Sequence, residues 1–337
     1  MIRSRTVDTG RLRMHLIESG PEDGIPVLLL HGNLSTGRFY AHLEAPDRYR
    51  LIAPDMRGFG DSERVPLDAT RGLRDWADDT HALLGALNID RPPHLAGWST
   101  GGAAIASYAM DRPVASLTLI DPVSPYGFGG TRADGTPCRP DHAGSGAGVV
   151  SPEFVRRLAA GDRTAESTLS PRTVMTTCFW TPAHKEPREE QLLEEVLKSA
   201  IGDDFYPGDT TPSEHWPGAA PGTRGIINAL SPRYCDWSAL PDLDPKPPVL
   251  WTYGTEDVVI SDHSAWDVGA LGQAGHVPGW PGEEAHPPQP MVSQTAAVLE
   301  RYGNVQVERF EGSGHFPPID AAERWSAVFF AFLDGAG

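Results

Sequence analysis

The reading of this chain turns on His94-Leu95-Ala96-Gly97-Trp98-Ser99-Thr100-Gly101-Gly102, followed at once by Ala103-Ala104-Ile105-Ala106-Ser107-Tyr108. A short apolar run, a Gly-x-Ser-x-Gly pattern and an alanine-rich segment predict a strand, a sharp turn and a helix. Glycines two residues before and two after the serine let the strand and helix backbones pass without Cβ collisions, which leaves Ser99 alone at the tip of a strained turn. The helix that follows points its unpaired N–H groups and the positive end of its dipole at that hydroxyl. In a chain with 36 glycines the five-residue pattern carries little by itself, so the strand before it and the helix after it carry the weight.

Working outward, residues 5–18 alternate (Val7, Leu12, Met14 and Leu16 against charged neighbours) around Asp8-Thr9-Gly10, which predicts an opening β-hairpin. Pro26–Leu30 is a continuous apolar run too short for a helix, as expected of a parallel strand buried on both faces. Tyr49–Pro54, Ala115–Ile120, Pro248–Tyr253 and Val305–Phe310 read as further strands. Between Thr70 and Asn88, Leu73, Trp76, Leu83, Leu84 and Leu87 recur at helical spacing, and a closing helix is expected over Ala321–Leu333. Strands alternating with helices predict a mostly parallel sheet covered on both faces.

That rhythm stops between Val123 and Lys246. The interruption opens with seven glycines from Gly127 to Gly148, a composition too permissive for a core element, and later holds a helix begun by Pro187 with Leu192, Leu193, Val196, Leu197 and Ala200 on one stripe. We therefore divide the chain into a core (residues 1–122 and 247–337) and a mainly helical cap (residues 123–246). A second irregular stretch, Val258 to Pro290, is rich in Gly and Pro and is expected beside the active site.

A formal charge of −17 repels phosphate backbones and anionic lipid, which argues against nucleic-acid and membrane-surface partners. Cys138, Cys178 and Cys235 lie far apart, with neither a disulfide framework nor zinc-ligand spacing. The first residues carry charge without an apolar run behind them, and no window reaches the length of a membrane span, so a cytoplasmic location is expected.

A serine hydroxyl near neutral pH needs a general base, and the base needs a partner that fixes its tautomer. Glu311-Gly312-Ser313-Gly314-His315 directly follows the last strand, which puts His315 on a glycine-rich loop at the same sheet edge as Ser99. Gly254-Thr255-Glu256-Asp257 follows the preceding strand. Asp257 is preferred over Asp121, which follows the neighbouring strand, because the chain order is then Ser, Asp, His. Two donors aimed at a developing oxyanion are expected from the backbone N–H groups of Thr100 and of Asn33, the latter after His31-Gly32.

His31-Gly32-Asn33, Asp55-Met56-Arg57-Gly58-Phe59-Gly60-Asp61-Ser62, Gly97-Trp98-Ser99-Thr100-Gly101-Gly102, Gly254-Thr255-Glu256-Asp257 and Gly314-His315 together resemble the α/β-hydrolase fold family. The stretches Leu119–Gly130 and around Trp280 are similar to a bacterial group with large caps. The resemblance implies an α/β fold with a mostly parallel eight-stranded sheet flanked by helices. It implies Ser99 as nucleophile, His315 as base and Asp257 as acid, with Asn33 and Thr100 at the oxyanion hole. Asp55 to Ser62 is then structural, with Arg57 a positioning residue. Epoxide hydrolases and haloalkane dehalogenases of this fold carry Asp where this chain has Ser99, and the Gly-Gly-Ser-Trp-Gly pattern of proline iminopeptidases is absent.

Acyl transfer to water remains, on a carboxylic ester or lactone, with no cofactor and no metal required. Carbon–carbon bond hydrolysis, thioester or amide cleavage, and simple ligand binding on the same scaffold are the rival readings. Trp98, Tyr126, Phe128, Trp180 and Trp216 are the candidate substrate-binding residues, and an aromatic inner face of the cap predicts a neutral hydrophobic small-molecule substrate.

Overall fold

A computed structural model describes residues 2–336. The opening hairpin is β1 (Arg3–Asp8) and β2 (Arg13–Ser19), followed by β3 (Ile25–Leu30), β4 (Tyr49–Pro54), β5 (His94–Trp98) and β6 (Ser116–Ile120). Two short strands, β7 (Thr210–Pro212) and β8 (Ala219–Pro221), form a separate hairpin, and β9 (Val249–Gly254) and β10 (Val305–Phe310) complete the main sheet. Its eight strands run in the order β1-β2-β4-β3-β5-β6-β9-β10. β2 pairs antiparallel with β1 and with β4, and every other neighbour is parallel. The predicted strands are all present, within a residue or two of their expected ends.

The interior strands are buried along almost their whole length, which is why they read as unbroken apolar runs. The two edges are different. β1 carries Arg3, Arg5 and Asp8 and β10 carries Glu308 and Arg309, charges that discourage further strand addition.

The helix expected over residues 70–88 is α1 (Arg74–Ala86); a single 3-10 turn, Ala69–Arg71, precedes it. Trp76, Leu83 and Leu84 are buried, as the spacing predicts, but Asp75, Ala77, Asp79 and Thr80 are buried as well. α2 (Thr100–Asp111) lies against β5, β6 and β3 and packs on α1.

Between β6 and β9 the chain leaves the sheet. Its regular structure there is mainly helical but sparse: α3 (Pro152–Ala159), α4 (Pro171–Cys178), α5 (Glu189–Leu197) and α6 (Ile226–Ala229), separated by loops and the small hairpin. α5 is the helix expected after Pro187, and Leu192, Leu193 and Val196 are buried.

The stretch Val258 to Pro290 contains the short α7 (Val268–Gln273) and leads into α8 (Met291–Tyr302), which the sequence reading did not single out. The chain closes with α9 (Pro317–Asp320) and α10 (Ala322–Gly335).

The glycine-rich loop after β6 is not the permissive surface loop its composition suggests. Gly127, Gly129, Gly130, Gly144 and Gly146 are buried. Two buried glutamines satisfy its backbone: Gly129 N–H donates to Gln289 Oε1 (2.6 Å), and Gln289 Nε2 donates to Gly127 C=O (3.0 Å). Gln294 Nε2 donates to Arg132 C=O (2.7 Å), and Ser124 Oγ donates to Gln294 Oε1 (2.6 Å). A buried loop is tolerated when its polar groups find partners, and here side chains far along the sequence supply them. Among the described residues, no helix is long and apolar enough to cross a membrane.

Candidate active site

Ser99 stands between β5 and α2 at φ 55, ψ −114, a left-handed conformation that a serine adopts only when its surroundings impose it. The glycines of the motif are what let those surroundings come close. A Cβ at Gly97 would overlap the Gly101 carbonyl, one at Gly101 would overlap the Leu30 carbonyl, and one at Gly102 would lie 2.8 Å from Pro122 Cβ. The turn is then pinned by backbone bonds. Ser99 N–H donates to Ile120 C=O (2.9 Å), and Ser99 C=O accepts from Gly102 (3.0 Å), Ala103 (3.3 Å) and Val123 (3.2 Å).

His315 lies on the loop between β10 and α9. Its Nδ1 is 2.7 Å from Asp257 Oδ2, and Asp257 Oδ1 accepts the N–H groups of Val259 (2.6 Å) and Ile260 (3.0 Å). A carboxylate only accepts, so Nδ1 carries the proton and Nε2 presents its lone pair. The β9 and β10 loops abut so closely that a Cβ on Gly254 would overlap the Gly314 carbonyl. The elbow is tied to the histidine loop by Trp98, whose indole N–H donates to His315 C=O (2.8 Å) and whose ring stacks on Phe316 at 4.2 Å. Ser99, Asp257 and His315 are all buried, at 6%, 6% and 2% exposure, so the centre is closed over.

His31 is a brace. It is fully buried, its Nδ1–H donates to Gly32 C=O (2.7 Å) and its Nε2 accepts from Met56 N–H (2.9 Å). Burial pushes its pKa down to about 4, so it is neutral at physiological pH and fixes the loop that carries Gly32 and Asn33. A Cβ on Gly32 would stand 3.2 Å from Ser99 Cβ and 3.0 Å from the Trp98 ring, which places this loop against the elbow. Thr100 opens α2, so its N–H has no partner within the helix. Asn33 Oδ1 and Thr100 Oγ1 are buried without a hydrogen-bond partner among the described residues.

The Asp55–Ser62 segment is held from several sides. Asp55 accepts from Gly37 N–H and Asp61 N–H (both 2.9 Å) and pairs with His15 Nδ1 (2.7 Å), while Arg57 is held by Asp79 at 2.6 and 2.8 Å. Among the described residues, two His-carboxylate groups, His15 with Asp55 and Asp61, and His315 with Asp257 and Asp121, are compact enough to surround an ion. In both, the histidine Nδ1 is already bound to a carboxylate of its own cluster.

The aromatic candidates are dispersed. Trp98 sits among Phe39, Phe179 and Phe316, and the Trp180 backbone lies 2.8 Å from where a Gly314 Cβ would be, so both abut the His315 loop. Tyr126 covers Gly135, and Phe128 N–H donates to Leu230 C=O (2.8 Å). Trp216 packs on the 258–290 stretch, with its N–H on Pro278 C=O (2.8 Å) and its ring 4.9 Å from His286.

One residue near the site was not anticipated. Asp320 Oδ2 accepts both Gly314 N–H (2.8 Å) and Thr181 N–H (3.1 Å), joining the histidine loop to the segment between α4 and α5. Its only sequence signal is its place five residues after His315.

An eight-stranded sheet of this order, with a serine elbow and a His-Asp pair at one edge, defines a hydrolase class. The profile of the alpha/beta hydrolase family matches residues 27–328, and the chain belongs to that family. The Magnesium-chelatase 30 kDa subunit of Rhodobacter capsulatus is 34% identical over 153 residues, covering 45% of this chain and 48% of that protein. Lipase 1 of Psychrobacter immobilis is 35% identical over 123 residues, covering 36% and 38%. The aligned regions thus span less than half of either relative. The crystal structure of an esterase from Rhodococcus sp. ECU1013 superposes with a TM-score of 0.61 at 20% identity, covering 100% of this chain and 99% of that one, a likeness of fold.

Proposed function

We propose that the chain is a serine hydrolase that cleaves a carboxylic ester or lactone of a hydrophobic small molecule. The observation that carries this reading is the 2.7 Å bond from His315 Nδ1 to Asp257 Oδ2, made beside an elbow that holds Ser99 in a left-handed turn. In this reading His315 Nε2 takes the proton of Ser99 Oγ as that oxygen attacks the carbonyl carbon. The oxyanion is met by the N–H groups of Asn33 and Thr100. His315 then gives the proton to the departing alkoxide; water, deprotonated by the same nitrogen, attacks the acyl carbon, the bond to Ser99 Oγ breaks, and His315 returns the proton to that oxygen.

Residues 123–246 serve as a cap over the core formed by 1–122 and 247–337. Trp98 and Trp180, the two aromatic candidates that abut the His315 loop, supply apolar surroundings for the substrate, and the net charge of −17 disfavours polyanionic ones.

The test is fluorophosphonate labelling followed by a substrate panel. An adduct on Ser99 is expected, Ser99→Ala abolishes it, and kcat falls by several orders of magnitude. An adduct on another serine refutes the assignment. Across small acetates, medium-chain and aromatic esters, macrolactones and acyl-coenzyme A, a preference for the charged thioester or the smallest acetate refutes the substrate class.

A further inference from the structure

Beside the Asp257–His315 pair lies a second carboxyl to which the hydrolytic reading gives no role. Asp121 follows the last residue of β6 at φ 40, a strained backbone for a residue with a Cβ. Its N–H donates to Thr252 C=O (2.9 Å), and its Oδ1 accepts Gly254 N–H (3.0 Å) at the end of β9. The other oxygen, Oδ2, is buried and meets no hydrogen-bond partner among the described residues. One carboxyl oxygen of Asp121, one of Asp257 and one ring nitrogen of His315 all lie within 4.8 Å of one another.

Two carboxyls this close in a dry site do not both ionise. Which one keeps the proton follows from the donors each receives. Asp257 is met by Val259 N–H, Ile260 N–H and His315 Nδ1–H, all stabilising a charge on it. Among the described residues, the Asp121 side chain receives Gly254 N–H alone. Burial first, then the Asp257 charge, push the Asp121 carboxyl well above the usual carboxylate range. The other titratable groups around the pair are His315 and Asp320 on the segment after β10 and Cys178 at the end of α4, which feels the Asp257 charge.

We propose that Asp121 is a positioning residue of the hydrolytic site: a carboxylic acid that keeps its proton at working pH and donates it in a hydrogen bond to the Asp257 carboxylate. That bond holds Asp257 in line with His315 Nδ1 from the side its own loop does not reach. The proposal rests on the reading of Asp257 and His315 as the acid and base. It adds a limit on activity: at alkaline pH, ionisation of Asp121 turns a hydrogen bond into a repulsion behind the histidine.

Asp121→Asn is the informative variant, because its Oδ1 still accepts Gly254 N–H and its Nδ2–H replaces the acid proton. Its kcat and its fluorophosphonate labelling rate are expected within about 3-fold of wild type. The alkaline loss of activity shifts upward or disappears. Asp121→Ala is expected to lower kcat by about 10- to 100-fold with KM little changed, the scale seen when a residue that orients a functional side chain is removed.

Stability supplies a readout independent of turnover. A carboxyl that stays protonated in the folded state but ionises near its ordinary value when unfolded makes stability fall as pH rises above that value. Wild type should therefore lose up to about tenfold more in its folding equilibrium constant per pH unit than Asp121→Asn between about pH 5 and 8.

Equal pH slopes for the two proteins overturn the proposal. So does a loss of about 10^4 in Asp121→Asn, which would make Asp121 the ionised partner of His315. A folded Asp121→Ala with wild-type kcat overturns the positioning role. Absence of any Ser99 labelling in wild type would instead remove the hydrolytic reading, while the pH slope would still report on the Asp121 proton.

Discussion

Replacing Asp257 by Asn changes one atom and, on this geometry, removes the base. Asp257 Oδ1 accepts two backbone N–H groups, from Val259 and Ile260. An asparagine there must keep its oxygen on those donors, because turning the amide would set its NH2 against two N–H groups. Its Nδ2 therefore faces His315 Nδ1, where Asp257 Oδ2 sits at 2.7 Å in wild type. Two donors cannot share a hydrogen bond, so the imidazole moves its proton to Nε2, and that nitrogen can no longer accept from Ser99. The expected cost is about 10^4 in kcat, equivalent to about 5 kcal/mol of barrier, the size associated with a wrong tautomer. Binding should be nearly untouched, with KM within about threefold of wild type. The assay is steady-state hydrolysis of a chromogenic medium-chain ester, with a thermal melt to establish that the variant is folded. A folded Asp257→Asn that retains kcat within about tenfold of wild type refutes the reasoning and leaves another carboxylate to orient His315.

Two further outcomes follow from the site. Trp98→Phe keeps a ring for Phe316 but deletes the N–H that His315 C=O accepts; an unpaired buried carbonyl costs about 1 to 3 kcal/mol, read as a lower melting temperature or slower Ser99 labelling, and unchanged values for both refute the tie. His31 is neutral when folded down to about pH 4, whereas an unfolded histidine takes up a proton near 6.5, so stability is full above about 6.5 and is lost as pH falls from there to about 4. Denaturant titration across that window should give a decline of which His31 contributes about 3 kcal/mol, and a His31→Asn variant with the same slope as wild type refutes the assignment.

The parts of this molecule legible in the sequence are those whose physics is local. β3 is buried on both faces, so its apolar run could not be hidden, and the glycines around Ser99 are imposed by backbone clashes within a few residues. Chain order favoured Asp257 over Asp121, and the His315 Nδ1 bond is made to Asp257. α8 did leave a signal, with Met291, Thr295, Val298, Leu299 and Tyr302 buried at helical spacing, but the Gly and Pro residues before it obscured its start. Other features depend on partners that spacing does not reveal. Nothing around Asp320 announces that it accepts from Thr181, and nothing around Trp98 announces the His315 carbonyl. The aromatic residues of the insertion were countable from composition, but which of them abut the His315 loop depends on how the loops fold back.

The two glutamines near the start of α8 bear on how far the segment between β6 and β9 is interchangeable. Gln289 and Gln294 are buried, and their amides are spent on Ser124, Gly127, Gly129, Thr131 and Arg132. A chimera that grafts another hydrolase's insertion onto this sheet would leave those amides facing a foreign loop, at about 1 to 3 kcal/mol for each group left unsatisfied. Grafting this insertion elsewhere without residues 289–294 strands the opposite halves of the same bonds. The transferable unit is discontinuous, and a swap designed on the insertion alone cuts through its most polar seam.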